Sequence, residues 1–372
     1  MPTDSILILG GYGNTGRLIA TLLLQETDCR LVVAGRSLVK AEAAAATLNA
    51  QVGSPRVTAA AADAADVSSL RRAMAGCGLA VIASSTADHV AEVARAALDT
   101  KTDYLDVQFA TAKVHALQRL APEIGAAGCC FITDGGFHPG LPAALVRHAA
   151  AQFDHLQTAV VASVIKEDWR RVEIGISTAE EMVRELAGYQ ALEYREGAWR
   201  QARWTSLWIP QTMDFGPPFG RQYGVPMFLE EMRALPALYP DLQAVSFNVG
   251  GFNWFVDMLV LPAAMAAMRV APRQALGPMA RWLLWSLQRF SRPPYGTVLR
   301  LEASGEARGQ PKRFDLTLSH ADGYWFTAIP VVASLLQVLD GSARRPGLWF
   351  QASIVEPQRL LHDMQRMGIE IR

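Results

Sequence analysis

The sequence lacks the features that mark several large classes of protein. Basic and acidic residues are balanced at 35 each, so the chain has no excess positive charge for binding nucleic acid. The nearest candidate for a membrane span, residues 258–268, is shorter than the roughly 18 residues that cross a bilayer. The four cysteines form no C-x-x-C pair and no histidine cluster accompanies them. Nucleic-acid binding, a transmembrane helix and a metal site are therefore not expected.

The cysteines and the N-terminus indicate a cytoplasmic protein. Cys129 and Cys130 lie in an apolar, strand-like run, where buried free thiols are expected. No signal peptide precedes the first apolar run, and reduced thiols are typical of the cytoplasm. At 372 residues, 51% of them hydrophobic, the chain is long enough for about two domains.

The most informative stretch is a G-x-G-x-x-G motif between a strand pattern at 5–10 and a helix pattern at 14–25. Gly11 permits the tight turn, Gly13 lets the backbone approach a pyrophosphate, and Gly16 lets helix and strand pack closely. The helix N-terminus offers free N–H groups and a partial positive charge to the phosphates. An ordinary glycine-rich turn is the alternative. The pattern predicts a dinucleotide-binding loop made of Gly11, Tyr12, Gly13, Asn14, Thr15 and Gly16.

The first third of the chain alternates between strand and helix patterns at short spacing. Strands are predicted at 5–10, 30–35, 56–60, 79–83, 103–107 and 128–133, and helices at 14–25, 37–50, 66–75, 88–99 and 111–126. Six strands joined by five helical crossovers predict an α/β fold, a Rossmann-type doubly wound parallel sheet. Its ligand is expected at the carboxyl ends of the strands.

The end of the second predicted strand indicates which dinucleotide binds. Arg36 lies 36 − 16 = 20 positions after Gly16, where an NAD site carries an acidic residue for the ribose hydroxyls. An arginine there can pair with a 2′-phosphate, and Ser37 adds a hydroxyl, so NADP(H) is favoured over NAD(H). A solvated arginine is the alternative. Asp63 is expected to contact the adenine ring or to cap the helix that begins near Asp66.

Other strand ends are expected near the nicotinamide and its ribose. Ser84 and Ser85 follow the fourth predicted strand, and Gln108 follows the fifth and is expected to contact the cofactor amide. The sixth strand continues into residues 133–142, which are dense in glycine and proline. That composition predicts a rigid turn that leads into the second domain.

Composition changes after residue 150, because all nine tryptophans lie beyond it. The region predicts a mixed α+β domain whose aromatic side chains fill a core or line an apolar pocket. Residues 258–290 form an amphipathic helical pattern that includes Arg269, Arg281 and Arg289. This pattern fits a core helix, a dimer helix or a surface helix that touches a membrane or lipid. Local patterns also predict helices at 143–151, 179–192, 329–339 and 356–367, strands at 300–303 and 313–318, and a loop at 209–226.

Four stretches resemble the saccharopine dehydrogenase family, in its saccharopine-reductase-like branch. They are residues 9–17 (LGGYGNTGR), 34–37 (AGRS), 104–106 (YLD) and 135–140 (GGFHPG). The resemblance is clear over roughly residues 1–148. It implies a homodimeric, NADP(H)-dependent oxidoreductase for a small-molecule substrate. It also implies a Rossmann domain at 1–140, a mixed α+β substrate and dimerisation domain at 141–325, and a C-terminal helical segment at 326–372 that packs back on the Rossmann domain.

The reaction implied is reduction of an imine, or oxidation of a secondary amine, of a small amino-acid-like substrate. His138 is the first catalytic candidate, because it follows the final strand and can titrate near neutral pH. A histidine that only bonds local backbone at the Pro-Gly turn is the alternative. Tyr104 and Asp106 are the other catalytic candidates, and Asp106 is expected to orient a donor or to cap the helix from Thr111.

The classical mechanism of one enzyme class is absent, and two other functions stay open. Short-chain dehydrogenases use Tyr-x-x-x-Lys, but no tyrosine stands four residues before any of the five lysines. The alternatives are a non-catalytic NADP(H)-binding redox sensor or scaffold, and a reductase of a C=O or C=C bond in an apolar substrate. The substrate, the reaction direction and the oligomeric state are left open.

Overall fold

A computed structural model describes residues 5–171, 175–202 and 211–372. The predictions that concern Trp204, Trp208 and residues 209–210 lie outside the described residues. The strands are β1 Ser5–Leu9, β2 Arg30–Gly35, β3 Val57–Ala61, β4 Leu79–Ile82, β5 Asp103–Asp106, β6 Cys130–Thr133, β7 His155–Lys166, β8 Leu192–Arg195, β9 Ala198–Gln201, β10 Gln211–Asp214, β11 Arg221–Pro226, β12 Ala244–Gly250, β13 Gly296–Ala307, β14 Gln310–His320, β15 Gly347–Phe350 and β16 Glu370–Ile371.

The helices begin close to the predicted positions in the first third of the chain. They are α1 Asn14–Glu26, α2 Leu38–Val52, α3 Val67–Met74, α4 Val90–Thr100, α5 Thr111–Ala126, α6 Pro142–Ala150, α7 Ile176–Glu185, α8 Leu235–Leu238, α9 Leu261–Val270, α10 Pro272–Phe290, α11 Gly323–Leu339, α12 Gln351–Ile354 and α13 Pro357–Arg366. A π-helical turn, Val256–Val260, precedes α9. None of the described helices is long and apolar enough to cross a membrane.

The chain divides into two compact units. The first comprises the described residues of Met1–Leu141 together with Tyr324–Met367, and the second comprises Pro142–Gly323 together with Gly368–Arg372. Each is described separately below.

The first unit is built on a seven-stranded parallel sheet in the order β15-β6-β5-β4-β1-β2-β3. The apolar runs that predicted these strands are buried, with Leu7 and Ile8 of β1 fully inaccessible. Burial on both faces by crossover helices explains why the runs are continuously hydrophobic rather than alternating. Strand order reverses between β1 and β4, so the carboxyl ends of these two strands form the switch point at which such sheets bind ligands. The predicted doubly wound α/β sheet is confirmed.

The seventh strand was not predicted. β15 pairs in parallel with β6 in the register Gly347↔Cys130 to Phe350↔Thr133. Its four residues are each only partly buried, because the strand lies at the edge of the sheet. Arg344, just before it, donates to the Asp103 carboxylate at 2.7 Å and so fixes the approach of this segment to β5.

The second unit contains a mixed sheet, as predicted for an α+β domain. Its order is β10-β11-β12-β7-β13-β14-β16, and β8 pairs with β12 and β9. β7 is central, with β12 parallel on one side and β13 antiparallel on the other. Two local predictions are wrong. The helix predicted at 179–192 ends at Glu185 with a 3₁₀ turn to Gly188, and part of the predicted loop at 209–226 is the β10–β11 hairpin.

Helices α7, α9 and α10 of this unit share an apolar core. Trp169 is buried in it with Val183, Val260 and Leu283. Trp254, in contrast, is 59% exposed. The tryptophans therefore divide between the core and the surface.

Candidate functional site

In the glycine-rich loop between β1 and α1, the first turn of α1 lies so close to the backbone at Gly10 that side chains do not fit between them. A Cβ atom on Gly16 would collide with the carbonyl oxygen of Gly10, and one on Gly13 would lie 3.2 Å from the same oxygen. Gly13 is the N-cap of α1, and no side chain of the described residues caps this helix. The N–H groups of the first turn are thus open to an anionic ligand, which the helix dipole also favours.

Tyr12 holds the tip of β2 against this loop. The backbone N–H of Ser37 donates to the Tyr12 hydroxyl at 3.3 Å, and a Cβ atom on Gly35 would lie 2.5 Å from the tyrosine ring. Gly35 is therefore required for the close approach of the ring to the strand. Arg36, the next residue, is exposed at the carboxyl end of β2.

Ser37 and Asp63 make local backbone contacts beside Arg36. The Ser37 hydroxyl caps α2 by accepting from the N–H of Lys40 at 3.4 Å. Asp63 is exposed and accepts from the N–H of Ala65 at 3.0 Å, whereas Asp66 is the cap of α3. Both Ser37 and Asp63 lie just past the ends of neighbouring strands β2 and β3.

The ends of β4 and β5 are linked through Gln108. Its amide donates to the carbonyl oxygen of Ser84 and, at 3.0 Å, to the hydroxyl of Thr86. Gln108 is buried, Ser84 is half-buried and Ser85 is exposed. A Cβ atom on Gly10 would lie 2.9 Å from that of Ser84, so this turn also adjoins the glycine-rich loop.

A buried charged network lies behind these turns. One oxygen of the Asp106 carboxylate accepts from Tyr104 and Thr133, both at 2.9 Å. Its other oxygen lies 2.5 Å from the ammonium of Lys113, which also contacts Asp134 at 2.8 Å. The Lys113 and Asp106 side chains are completely inaccessible. Asp106 does not cap α5, whose N-cap is Ala110.

The network keeps its lysine charged and its tyrosine neutral. Burial disfavours the ammonium of Lys113, but the Asp106 and Asp134 carboxylates outweigh that effect and raise its pKa. Burial, and then the Asp106 carboxylate, raise the pKa of Tyr104 well above its ordinary value. Such an arrangement fixes the turns after β5 and β6. The sequence analysis did not identify Lys113 as a site residue. The features that could have pointed to it are the scarcity of lysine, of which the sequence has five, and its position near the start of a predicted helix.

His138 lies in the turn that follows β6. Its ring centroid is 4.0 Å from that of Phe137, which in turn stacks on Phe326 at 5.0 Å. Desolvation in this surrounding lowers the pKa of His138 to about 3. The imidazole is therefore neutral at physiological pH.

Gln351, another residue that sequence reasoning missed, holds this turn in place. Its amide nitrogen donates to the carbonyl oxygens of Gly136 at 3.0 Å and Gly140 at 3.3 Å, and its oxygen accepts from the N–H of Gly136 at 3.3 Å. Gln351 is fully buried and lies more than 200 residues further along the chain. No local pattern could connect it with the turn.

With this geometry in place, comparison with known proteins defines the class of the first unit. Residues 6–132 match the family model described as the saccharopine dehydrogenase NADP binding domain. This stretch therefore matches an NADP-binding domain of the saccharopine dehydrogenase type. The predicted resemblance and the predicted cofactor, NADP(H), are both confirmed.

One solved structure extends the likeness of fold to the whole chain. The apo saccharopine dehydrogenase (L-Glu forming) from Saccharomyces cerevisiae is 16% identical, with 99% of each chain covered and a TM-score of 0.68. A mutant meso-dapdh from Clostridium tetani is 12% identical, with 96% of each chain covered and a TM-score of 0.47. A search of curated proteins finds no match. The chain thus shares the fold of the saccharopine dehydrogenase structure over its whole length.

Proposed function

We propose that the protein is an NADP(H)-dependent oxidoreductase that reduces an imine, or oxidises the corresponding secondary amine, of a small amino-acid-like substrate. The binding of NADP(H) is supported by the N-terminus of α1, which no side chain of the described residues caps and where Gly16 packs closely against the backbone of Gly10. The exposed Arg36 follows the neighbouring strand β2. Support for C–N chemistry is the likeness over the whole chain to a saccharopine dehydrogenase.

The residues around the glycine-rich loop would hold the cofactor. The open N–H groups at Asn14, Thr15 and Gly16 would bind the pyrophosphate, because they combine free donors with the positive end of the helix dipole. Arg36 would pair with the 2′-phosphate of NADP(H), since a guanidinium matches phosphate geometry in two hydrogen bonds. Ser37 would add a hydroxyl to the same phosphate.

The remaining cofactor residues lie at other strand ends. Asp63 would lie beside the adenine, and Ser84 and Ser85 beside the nicotinamide ribose. Gln108 uses its amide to fix the Ser84 carbonyl, so it would shape this edge of the site rather than contribute a free donor. Bound NADPH would supply the hydride for the imine carbon, and the imine nitrogen takes up a proton.

His138 is the proposed catalytic residue that contacts the substrate. A neutral imidazole can donate one hydrogen bond and accept another, so it can orient a polar acceptor without carrying charge. Tyr104 and Asp106 are buried and would act as positioning residues through Lys113, which also contacts the turn after β5 and the turn after β6.

The test combines NADPH oxidation with a fluorescence titration of NADPH. The substrates are amines paired with 2-oxo acids or with aldehydes, and turnover of any pair would support an imine reductase. Tight NADPH binding without turnover on the whole panel would contradict the proposed reaction. It would favour a redox sensor or a reductase of C=O or C=C bonds in an apolar substrate.

The cofactor residues are tested with Arg36→Ala. We expect NADPH binding to weaken far more than NADH binding, because only NADPH carries the 2′-phosphate. Arg72→Ala is the matched control, since Arg72 is an exposed arginine on α3. Equal losses for the two nucleotides would contradict the assignment of Arg36.

A further inference from the structure

The second unit carries an aromatic surface that the proposed reaction does not use. Five of the nine large apolar side chains exposed in the described chain lie between Trp254 and Val270 or at Trp285. We call this surface the aromatic patch. It consists of four aromatic residues whose rings are in contact and two exposed aliphatic residues that follow the first two of them in the sequence, namely Trp254, Phe255, Trp285, Phe290, Met258 and Leu259.

The members of the aromatic patch form a connected surface. Phe255 stacks on Phe290 with ring centroids 4.6 Å apart. Trp254 and Trp285 pack edge-on against Phe290 at 5.9 Å and 5.8 Å. Even so, Trp254 is 59% exposed and Trp285 is 51% exposed. Two half-exposed indole rings that pack around the Phe255–Phe290 pair are typical of an interaction surface rather than of a core.

Arginines frame the patch on α10. Arg281, Trp285 and Arg289 follow one another at intervals of four residues, so they share one face of the helix, and all three are exposed. The opposite face packs into the core, where Leu283 belongs to the same apolar cluster as Val183 of α7. The outward face of the helix therefore carries both an apolar indole and two charged guanidinium groups.

The sequence around the patch carries one sign of charge. Residues 258–301 contain six arginines, no lysine and no acidic residue. Asp257 precedes this stretch, but its carboxylate oxygens are buried, and burial raises its pKa to about 7. The exposed Arg281 and Arg289 therefore add positive charge beside the apolar surface of the patch.

We infer that the aromatic patch docks on the surface of an anionic lipid bilayer. Tryptophan is suited to the boundary between acyl chains and headgroups, because its ring is apolar and its N–H can stay hydrated. Arg281 and Arg289 can rest their apolar stems along the patch and extend their charged ends to lipid phosphates. An interfacial helix of this composition lies in the plane of the membrane and does not cross it.

A second copy of the chain fits the patch less well. A two-fold interface would set the same patch of each copy against the other, so it would gather Arg281 and Arg289 of both copies in one interface. The stretch supplies no carboxylate to pair with them, and like charges brought together in an interface are unfavourable.

Co-sedimentation with lipid vesicles tests the inference. The intact protein should bind vesicles of phosphatidylcholine mixed with phosphatidylglycerol and should bind phosphatidylcholine alone much more weakly. Arg281→Gln with Arg289→Gln should weaken binding to the anionic vesicles roughly 30-fold, which corresponds to about 1 kcal/mol for each arginine. Arg72→Gln with Arg119→Gln removes the same charge from exposed positions on α3 and α5 and should leave binding unchanged.

The apolar contribution is tested with Trp254→Ser and Trp285→Ser together. This variant should lose vesicle binding, whereas Leu238→Ser, which alters another exposed apolar side chain, should keep it. Circular dichroism and NADPH titration are used to check that each variant is folded. If the tryptophan variant is unfolded, the vesicle binding of the arginine variant alone tests the inference. Failure of the intact protein to bind anionic vesicles, or equal losses in patch and control variants, would overturn the inference. So would a dimer in solution that dissociates when the two tryptophans are replaced.

Discussion

Replacing Lys113 with methionine should destabilise the first unit strongly. Its ammonium lies 2.5 Å from Asp106, 2.8 Å from Asp134 and 2.5 Å from the carbonyl oxygen of Gln108. Methionine keeps most of the aliphatic volume but leaves two buried carboxylates with no cation between them. Removing one partner of a buried ion pair costs about 3–5 kcal/mol. Since each kcal/mol lowers the melting temperature of a unit of this size by about 2–4 °C, we expect a fall on the order of 10 °C.

Thermal unfolding followed by circular dichroism measures this effect. Lys40→Met is the control, because Lys40 is exposed on α2 and its replacement should change stability by no more than about 0.5 kcal/mol. A second variant, Lys113→Met with Asp134→Asn, should recover part of the loss, because only one buried charge then remains unpaired. The reasoning is refuted if Lys113→Met melts within a degree or two of Lys40→Met.

Further predictions concern the turns of the first unit. Gly16→Ala should abolish NADPH binding in a fluorescence titration, because the new methyl group has to displace the Gly10 backbone; binding within twofold of the parent would contradict this. Gln351→Ala should lower both the melting temperature and kcat, because three hydrogen bonds to the turn that carries His138 are lost; loss of stability alone would leave Gln351 without a part in positioning. The pKa of His138 falls from 6.5 to about 3 on folding, so the unfolded chain binds a proton that the folded protein does not. The contribution of this group to the free energy of unfolding is therefore complete above about pH 6.5 and is lost as the pH falls towards 3, by up to about 1.4 kcal/mol per pH unit. In His138→Gln, the free energy of unfolding, measured by denaturant titration at several pH values, should fall less steeply over this range.

Much of the first unit could be predicted because its information is local. Each inner strand is a short apolar run and each crossover helix has its own pattern, so predicted and observed bounds differ by two residues or fewer for most elements. The glycines at 11, 13 and 16 predicted a nucleotide-binding turn because each has a distinct steric task. The position of Arg36 favoured NADP(H) for an equally local reason, since it immediately follows β2.

The second unit was harder to predict because its sheet is assembled from distant segments. The hairpin of β10 and β11 lies in a stretch rich in proline and glycine, where composition alone indicates a loop. The choice between core and surface for the tryptophans also depends on packing. Trp169 is buried although charged residues flank it in the sequence, whereas Trp285 is half exposed although its sequence neighbours are mostly apolar.

The sequence by itself determined the class of the N-terminal domain, its strand order along the chain and its cofactor, because these follow from spacing within some forty residues at a time. The tertiary structure alone decided how the candidate site is supported. Lys113 meets Asp106 and Asp134 only when β5, α5 and β6 pack together, and Gln351 reaches the turn of His138 only after β15 joins the sheet. The physical reason is that buried polar groups must find partners in space, wherever along the chain those partners lie.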